Sequence, residues 1–419
     1  MRRNFIEMEI KRDQYVNQLF SMRHDGMIKV VTGMRRCGKS YLLFKLFYKR
    51  LLQEGVPEDH IISMSFDELD NRQMRDAETF YSWVKGKIND KKMHYLLLDE
   101  LQMLENFESV LNSFLHIDNV DVYVTGSNAR FLSKDVITEF RGRGFEIRIH
   151  PLSFREFMSA FSGDRYVGLQ QYMRYGGLPQ VALYAEPEQK ETYLKSLFRH
   201  TYLADIKNRY GIRNDDDLEE LINVLASNVG GLTNPKKIEN TFLTVKKTAM
   251  NHNTIKQYLD YMEDAFLIEK STRYDIKGKR YISTPYKYYF EDLGLRNARL
   301  DFRQYEPTHL LENLIYNELR IRQYNVDVGV VVANSKDENN RSVRSMLEVD
   351  FVCNKGSERL YVQSAYALPD AEKLRQESRS LELTKDTFQK IIITNDLVPT
   401  YQTDSGIKVM NVFDFLLGR

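Results

Sequence analysis

Short apolar runs alternate with helical periodicity over the first 150 residues. Ile28 to Thr32 is apolar and β-branched, and Leu43, Leu46, Phe47 and Leu51 then fall on one face of a helix running to Leu52. His94 to Leu98, the helix-like Asn106 to His116, Val120 to Thr125 and the alternating run Phe145 to Ile149 follow. Apolar strands of this kind, separated by helices, predict a parallel α/β sheet buried on both faces. After Pro151 the pattern turns helical, broken at Gly176-Gly-Leu-Pro179 and resumed at Pro187 toward Lys207. Asp215 to Ser227 opens on acids and carries Leu218, Leu221, Ile222 and Leu225 at helical spacing, so it reads as an amphipathic packing helix.

Farther on, lysines accumulate at 236, 237, 246, 247 and 256, and a helix-like stretch spans His252 to Ile268. Two strand-like runs, Glu269 to Ser283 and Tyr286 to Phe290, flank a basic Lys277-Gly-Lys-Arg280 tip. A helix after a short turn followed by a basic hairpin reads as a winged helix, whose tip would contact phosphates of DNA. Asp260, Glu263 and Asp264 on the recognition helix favour a protein partner instead, because they would repel a duplex that they faced.

Gly33-Met-Arg36-Cys37-Gly38-Lys39-Ser40 contains the richest chemistry: with Arg35 it completes G-x-x-x-x-G-K-S between a strand and a helix. Glycines at both ends let the backbone wrap a phosphate, and the helix N-terminus adds the positive end of its dipole. Lys39 is expected to reach the β- and γ-phosphates of ATP and Ser40 to ligate Mg²⁺. His94-Tyr-Leu-Leu-Leu-Asp99-Glu100 is an apolar run closed by two carboxylates at the ligand edge of a parallel sheet. Asp99 would hold Mg²⁺, and Glu100 would orient the attacking water or else serve as an ordinary acid at a helix start. At the end of the next strand, Ser127 and Asn128 are candidates for a polar contact to the γ-phosphate, though Gly-Ser-Asn is also common turn chemistry.

With Phe140-Arg141-Gly142-Arg143-Gly144 and Pro151-Leu-Ser-Phe-Arg155-Glu-Phe added, the motif succession resembles prokaryotic AAA+ superfamily ATPases. More narrowly, it is similar to the uncharacterised ATP-binding proteins that carry a C-terminal domain of unknown function. The resemblance spans essentially the whole chain. It implies a P-loop NTPase parallel sheet of AAA+ type and a nucleotide cycle coupled to a conformational change. It also implies an arginine supplied from a neighbouring subunit, for which Arg141 or Arg143 would serve unless they form surface salt bridges.

The last 120 residues are similar to the restriction-endonuclease-like α/β fold. Glu312 on a helix and Asp350 on a strand match that fold's metal-binding carboxylates, but Gln363 and Ala365 replace the second strand carboxylate and the lysine. Losing these charges weakens a hard-cation site and removes a stabiliser of the attacking water, so nuclease activity is not expected. Lys373 is the candidate for a lysine migrated to another element. The expected domains are an ATPase core at 1–150, a helical lid at 151–234, a winged helix at 235–298 and a degenerate nuclease-like domain at 299–419.

The 419 residues carry 60 Lys+Arg against 59 Asp+Glu, a formal net charge of +1, so no global field draws the molecule to nucleic acid or acidic lipid. The two cysteines, Cys37 and Cys353, make neither a disulfide framework nor a metal cluster and suit a reducing cytoplasm. No apolar run approaches a membrane span, and the opening residues are too charged for a signal peptide. Expected partners are therefore ATP, DNA through the winged helix, further copies of the chain, and a protein partner that the residues do not identify, with no membrane.

Overall fold

Five strands, β1 (Ile28–Thr32), β2 (Ile61–Ser65), β3 (His94–Asp99), β4 (Val120–Thr125) and β5 (Gly144–Arg148), pair in parallel in the order β2-β3-β4-β1-β5. The computed structural model describes residues 9–126, 142–212, 215–246, 250–336 and 342–418. The chain divides into two compact units. The first comprises Met1–Leu152 with Leu178–Gln180 and Asp264–Phe266; the second comprises Ser153–Gly177, Val181–Glu263 and Leu267–Arg419.

In the first unit, β1 and β3 are buried along their whole length, as their apolar runs require. One face packs on Phe66, Phe80, Phe107, Val110, Leu111 and Phe114. The charge of Lys29 on β1 is matched from β4: its ammonium lies 2.6 Å from Asp121 Oδ1, and the Tyr123 hydroxyl donates to Asp121 Oδ2 at 3.0 Å. After β1 the chain enters a helix at Lys39–Tyr41, widens into a π-helical stretch at Leu42–Phe47 and returns to α-helix at Tyr48–Gln53. Leu43, Leu46, Phe47 and Leu51 are buried along it, as the periodicity predicts.

The second unit contains a mostly antiparallel sheet of eight strands: β6 (Ile268–Asp275), β7 (Arg280–Phe290), β8 (Asn325–Lys336), β9 (Ser342–Lys355), β10 (Glu358–Ala365), β11 (Gln389–Thr394), β12 (Tyr401–Gln402) and β13 (Lys408–Asn411). Their order is β12-β13-β11-β10-β9-β8-β6-β7. The hairpin read as a wing is thus the margin of this sheet. β6 pairs with β7 on one side and, through Arg273↔Val328 to Asp275↔Val330, with β8 on the other. The expected boundary at 298/299 therefore falls between strands of one sheet, because β8 satisfies the backbone edge that a free-standing wing would leave open.

The helix Leu293–Arg299 packs chiefly on the helices Arg165–Tyr175, Pro187–Leu197 and Asp215–Ser227 and is buried at six consecutive positions, Leu293 to Ala298. Its polar groups are all engaged. Asp292, its N-cap, accepts from the Leu295 amide at 3.0 Å and from the Gly177 amide at 2.7 Å. Burial pushes the Asp292 carboxyl up to about 6, against the backbone donors that favour its charged form. Asn297 donates to the carbonyls of Met173 and Arg174, at the end of the helix Arg165–Tyr175, and Arg296 donates to the Ala226 and Gln304 carbonyls.

Gly176 sits at φ +76°, and a Cβ there would collide with the Asp292 carboxylate. The Gly-Gly break in the sequence is therefore a seat for a buried acid. Gly176→Ala should destabilise the protein by about 2–4 kcal/mol, through a positive φ and a steric clash together. Denaturant unfolding followed by fluorescence checks this; a loss under about 0.5 kcal/mol, the scale of a neutral surface change, would show the seat to be pliable.

Candidate functional site

Parallel pairing brings the carboxyl ends of β1, β3 and β4 to one edge, and the residues that close those strands carry the site. Gly33 follows β1 at φ +139°, where a Cβ would run into the Ile149 carbonyl oxygen, and Gly38 adopts φ +100° at the start of the helix. Arg36 also turns left-handed at φ +65°, and the Cys37 amide donates back to the Met34 carbonyl at 3.5 Å. The Lys39 ammonium is buried and donates to the Gly33 and Met34 carbonyls at 2.9 and 3.0 Å. It thus lies across the mouth of the loop on oxygen acceptors of the kind a phosphate would present. Ser40, next on the helix, is exposed.

Two strands from β1, across β4, Asp99 is buried at the end of β3, and its Oδ1 accepts from the Thr125 hydroxyl at the end of β4. Thr125 Oγ1 in turn accepts from the Glu100 amide at 3.3 Å. Glu100 itself turns left-handed, φ +51°, and its carboxylate accepts from the Gln102 side chain. The sheet therefore brings together Gly33, Arg36, Cys37, Gly38, Lys39, Ser40, Asp99 and Glu100. Ser40 Oγ and the Asp99 carboxylate offer oxygen donors only, the chemistry that a hard divalent cation selects.

Arg143 is elsewhere. Its carbonyl accepts from the Ile28 amide at 2.9 Å, at the entry ends of β5 and β1, so about 13 Å of strand separate it from its own phosphate loop. Its side chain is exposed. Ser127, Asn128 and Arg141 lie outside the described residues.

Two members of the site were not anticipated. Thr125 was read as the last residue of a strand, but its hydroxyl joins Asp99 to Glu100. Arg12, almost fully buried, donates to the Cys37 carbonyl at 3.0 Å and to the His150 carbonyl at 2.9 Å, tying the floor of the phosphate loop to the chain leaving β5. No sequence signal marks it, since a lone arginine before a helix reads as surface.

The carboxylate cluster of the second unit is also assembled, but around a cation of the protein's own. Asp350 on β9 lies beside Gln363 and accepts from the Ser364 amide at 2.8 Å, and Glu312 comes from the helix Pro307–Ile321. The lysine that reaches them is Lys287 of β7. Its ammonium lies 2.8 Å from Glu312 and 2.6 Å from Glu348, and the Tyr289 hydroxyl donates to Glu312 at 2.7 Å. Lys373, the candidate from sequence, instead pairs with Glu377 at 2.6 Å.

Burial works against the Lys287 charge, but Glu312, Asp350 and Glu348 outweigh it and hold its pKa above the ordinary lysine range. Burial and then the Glu312 carboxylate raise the Asp350 carboxyl well above its usual range. A divalent ion could enter only by displacing the ammonium. Lys287→Met should cost about 3 kcal/mol or more at neutral pH, because it leaves buried carboxylates without a counter-charge. Asp350, already raised, then loses the ammonium that favours its charged form, so the deficit should shrink as pH falls toward 5 and its carboxyl takes up a proton. Urea midpoints of variant and parent across that range measure both effects; a pH-independent gap would mean lost packing instead.

The helix His252–Asp264 buries Ile255, Tyr258, Leu259 and Met262 and leaves Asp260 exposed. Burial raises Glu263 to about 7, against the attraction of Lys270. At the hairpin tip Lys277, Lys279 and Arg280 are exposed, with Arg280 3.5 Å from Asp275. Among the described residues no helix is long and apolar enough to cross a membrane.

Comparison with known proteins places this geometry. A family model described as an AAA domain matches residues 25–158, and one for a domain of unknown function (DUF8612) matches 167–306. An uncharacterized protein of Haemophilus influenzae is 37% identical over 414 residues, 97% of this chain and 98% of its own. One from Methanocaldococcus jannaschii is 27% identical over 403 residues, 92% of this chain and 85% of its own. Among solved structures, a Walker-type ATPase of Pyrococcus abyssi superposes with a TM-score of 0.50 at 14% identity, covering 70% of this chain and 96% of that one, a likeness of fold.

Proposed function

The chain belongs to the family of the uncharacterized Haemophilus influenzae protein, and from that membership and its AAA domain we propose that it binds ATP and hydrolyses it to ADP and phosphate. The convergence of the phosphate loop, Asp99 and Glu100 on one sheet edge supports this reading most directly. Ser40 and Asp99 would hold Mg²⁺, which supplies positive charge to the phosphates. Lys39 exchanges its two carbonyl partners for β- and γ-phosphate oxygens. Glu100 orients the attacking water and takes its proton, with Asn128 as a further polar contact to the γ-phosphate. Arg141 or Arg143 would complete the site of an adjacent copy in a homo-oligomer. Both cysteines are buried free thiols, which suits action in the cytoplasm.

Lys39→Ala should weaken ATP binding by at least about tenfold, since it removes the loop's side-chain cation. Glu100→Gln should keep ATP binding and lower turnover by about a hundredfold. Equilibrium binding of a fluorescent ATP analogue and phosphate release measure the two. Full turnover in Glu100→Gln would move the water-orienting role to another residue.

The output we infer is a conformational change exerted on DNA. The exposed Lys277, Lys279 and Arg280 tip would hold backbone phosphates, while the lysine-filled carboxylate cluster would leave the DNA uncut. The exposed Asp260 of the neighbouring helix favours a second reading, in which this half of the chain docks a protein and nucleotide gates the docking. Neutralising the three tip residues should lower the slope of log affinity against log salt by about two to three, without sequence preference, and DNA incubated with the parent protein and Mg²⁺ should stay intact. A parent protein that fails to bind duplex or single-stranded DNA at low salt leaves the protein-docking reading.

A further inference from the structure

At the opposite edge of the first sheet, where β2 and β3 begin, two histidines stand together. The parallel register aligns Ile61 with Tyr95, so the preceding residues, His60 and His94, fall side by side. Their rings stack at 4.4 Å with 17° between planes, and both are buried, His94 at 1% exposure and His60 at 4%. Asp90, in the turn leading to β3, completes the group. The donor atoms of His60, Asp90 and His94 all lie within 4.8 Å of one another, the one such cluster of three among the described residues.

A hydrogen bond fixes what the His94 ring offers. His94 Nδ1 lies 2.9 Å from the Lys92 carbonyl oxygen, an acceptor, so Nδ1 must carry the hydrogen, and the lone pair of the neutral ring is on Nε2. That Nε2 is buried and has no partner. A backbone carbonyl holding the far nitrogen of an imidazole is also the usual support of a metal-bound histidine. His60 Nε2 stands 3.4 Å from Asp90 Oδ2, the spacing of two donors in a tetrahedral shell with bonds of about 2.0–2.1 Å. Asp90 is itself positioned: its Oδ1 accepts from the Lys92 amide at 2.7 Å, and Asn119 donates to the Asp90 and Lys92 carbonyls.

We propose that His60, Asp90 and His94 form a binding site for a divalent transition-metal ion of the zinc class, clamping the entry ends of β2 and β3. Two imidazoles and a carboxylate suit zinc, cobalt or nickel and disfavour magnesium and calcium, which select oxygen donors. Asp59, whose Oδ1 lies 4.0 Å from His60 Nε2, or a water fills the fourth position. Closing the shell from its present span takes a shift of about 1.5 Å and a turn of one imidazole out of the stack, because the in-plane lone pairs of near-parallel rings meet at one ion only when the rings tilt. The site is independent of the nucleotide reading, since five residue steps along β3, about 16 Å, separate His94 from Asp99.

The test uses full-length protein without a polyhistidine tag, stripped by chelator and titrated with Zn²⁺ and with Co²⁺. One equivalent should bind, the Co²⁺ form should show the visible absorption of a four- or five-coordinate N/O site, and Zn²⁺ should raise the melting temperature. His60→Ala and His94→Ala should each weaken binding at least about tenfold, whereas His116→Ala, an exposed histidine elsewhere, and Lys39→Ala should leave it unchanged. If the buried-histidine variants do not fold, Asp90→Asn, which changes a half-exposed side chain, carries the comparison. Absence of binding at about 100 µM metal, or equal affinity in parent and Asp90→Asn, would overturn the proposal.

Discussion

Burying a parallel sheet on both faces leaves its strand ends as the places where chemistry can reach solvent, and the rest of the first unit follows from that constraint. Side chains along β1 and β3 are committed to the core, so polar work collects at residue 33 onward, at Asp99 and at Thr125 on one edge. His60, His94 and the backbone of Arg143 occupy the other. Strand direction thus separates a phosphate-handling edge, rich in amides and oxygen donors, from an edge that gathers imidazole. The same logic explains why Arg143 cannot serve its own loop: it lies at the wrong end of the strand beside it.

The phosphate loop was legible in the sequence because its demands are local. Two positive-φ glycines and a helix start leave a fixed spacing that few other structures require. Asp99 was legible for a related reason, since a buried strand that ends in a carboxylate has few other uses for it. Thr125 and Arg12 were not, because each acts through a partner distant in the chain: Thr125 is 26 residues from Asp99, and Arg12 is 138 from His150. Pairing of that kind leaves no periodic trace.

The second unit was harder to read for the same reason on a larger scale. A basic hairpin beside a helix has the local pattern of a wing, and local pattern says nothing about which strand will cover its edge. Pairing of β6 with β8, more than 50 residues away, makes the hairpin part of a larger sheet. Lys287 followed from that pairing. It sits on a strand assigned to one domain and neutralises carboxylates assigned to another, so dividing the sequence at 298 hid the charge balance of both.

The helix Leu293–Arg299 has a practical meaning for anyone dissecting this chain. Its Asp292 and Asn297 take their partners from residues 173–177 and its Arg296 from residue 226, so a fragment begun at residue 214 or 248 would arrive with polar groups of its own interior stripped of their mates. Such a fragment would report on a wounded core and not on an isolated module. Cloning boundaries for the C-terminal half therefore belong ahead of residue 165, where the helix Arg165–Tyr175 begins.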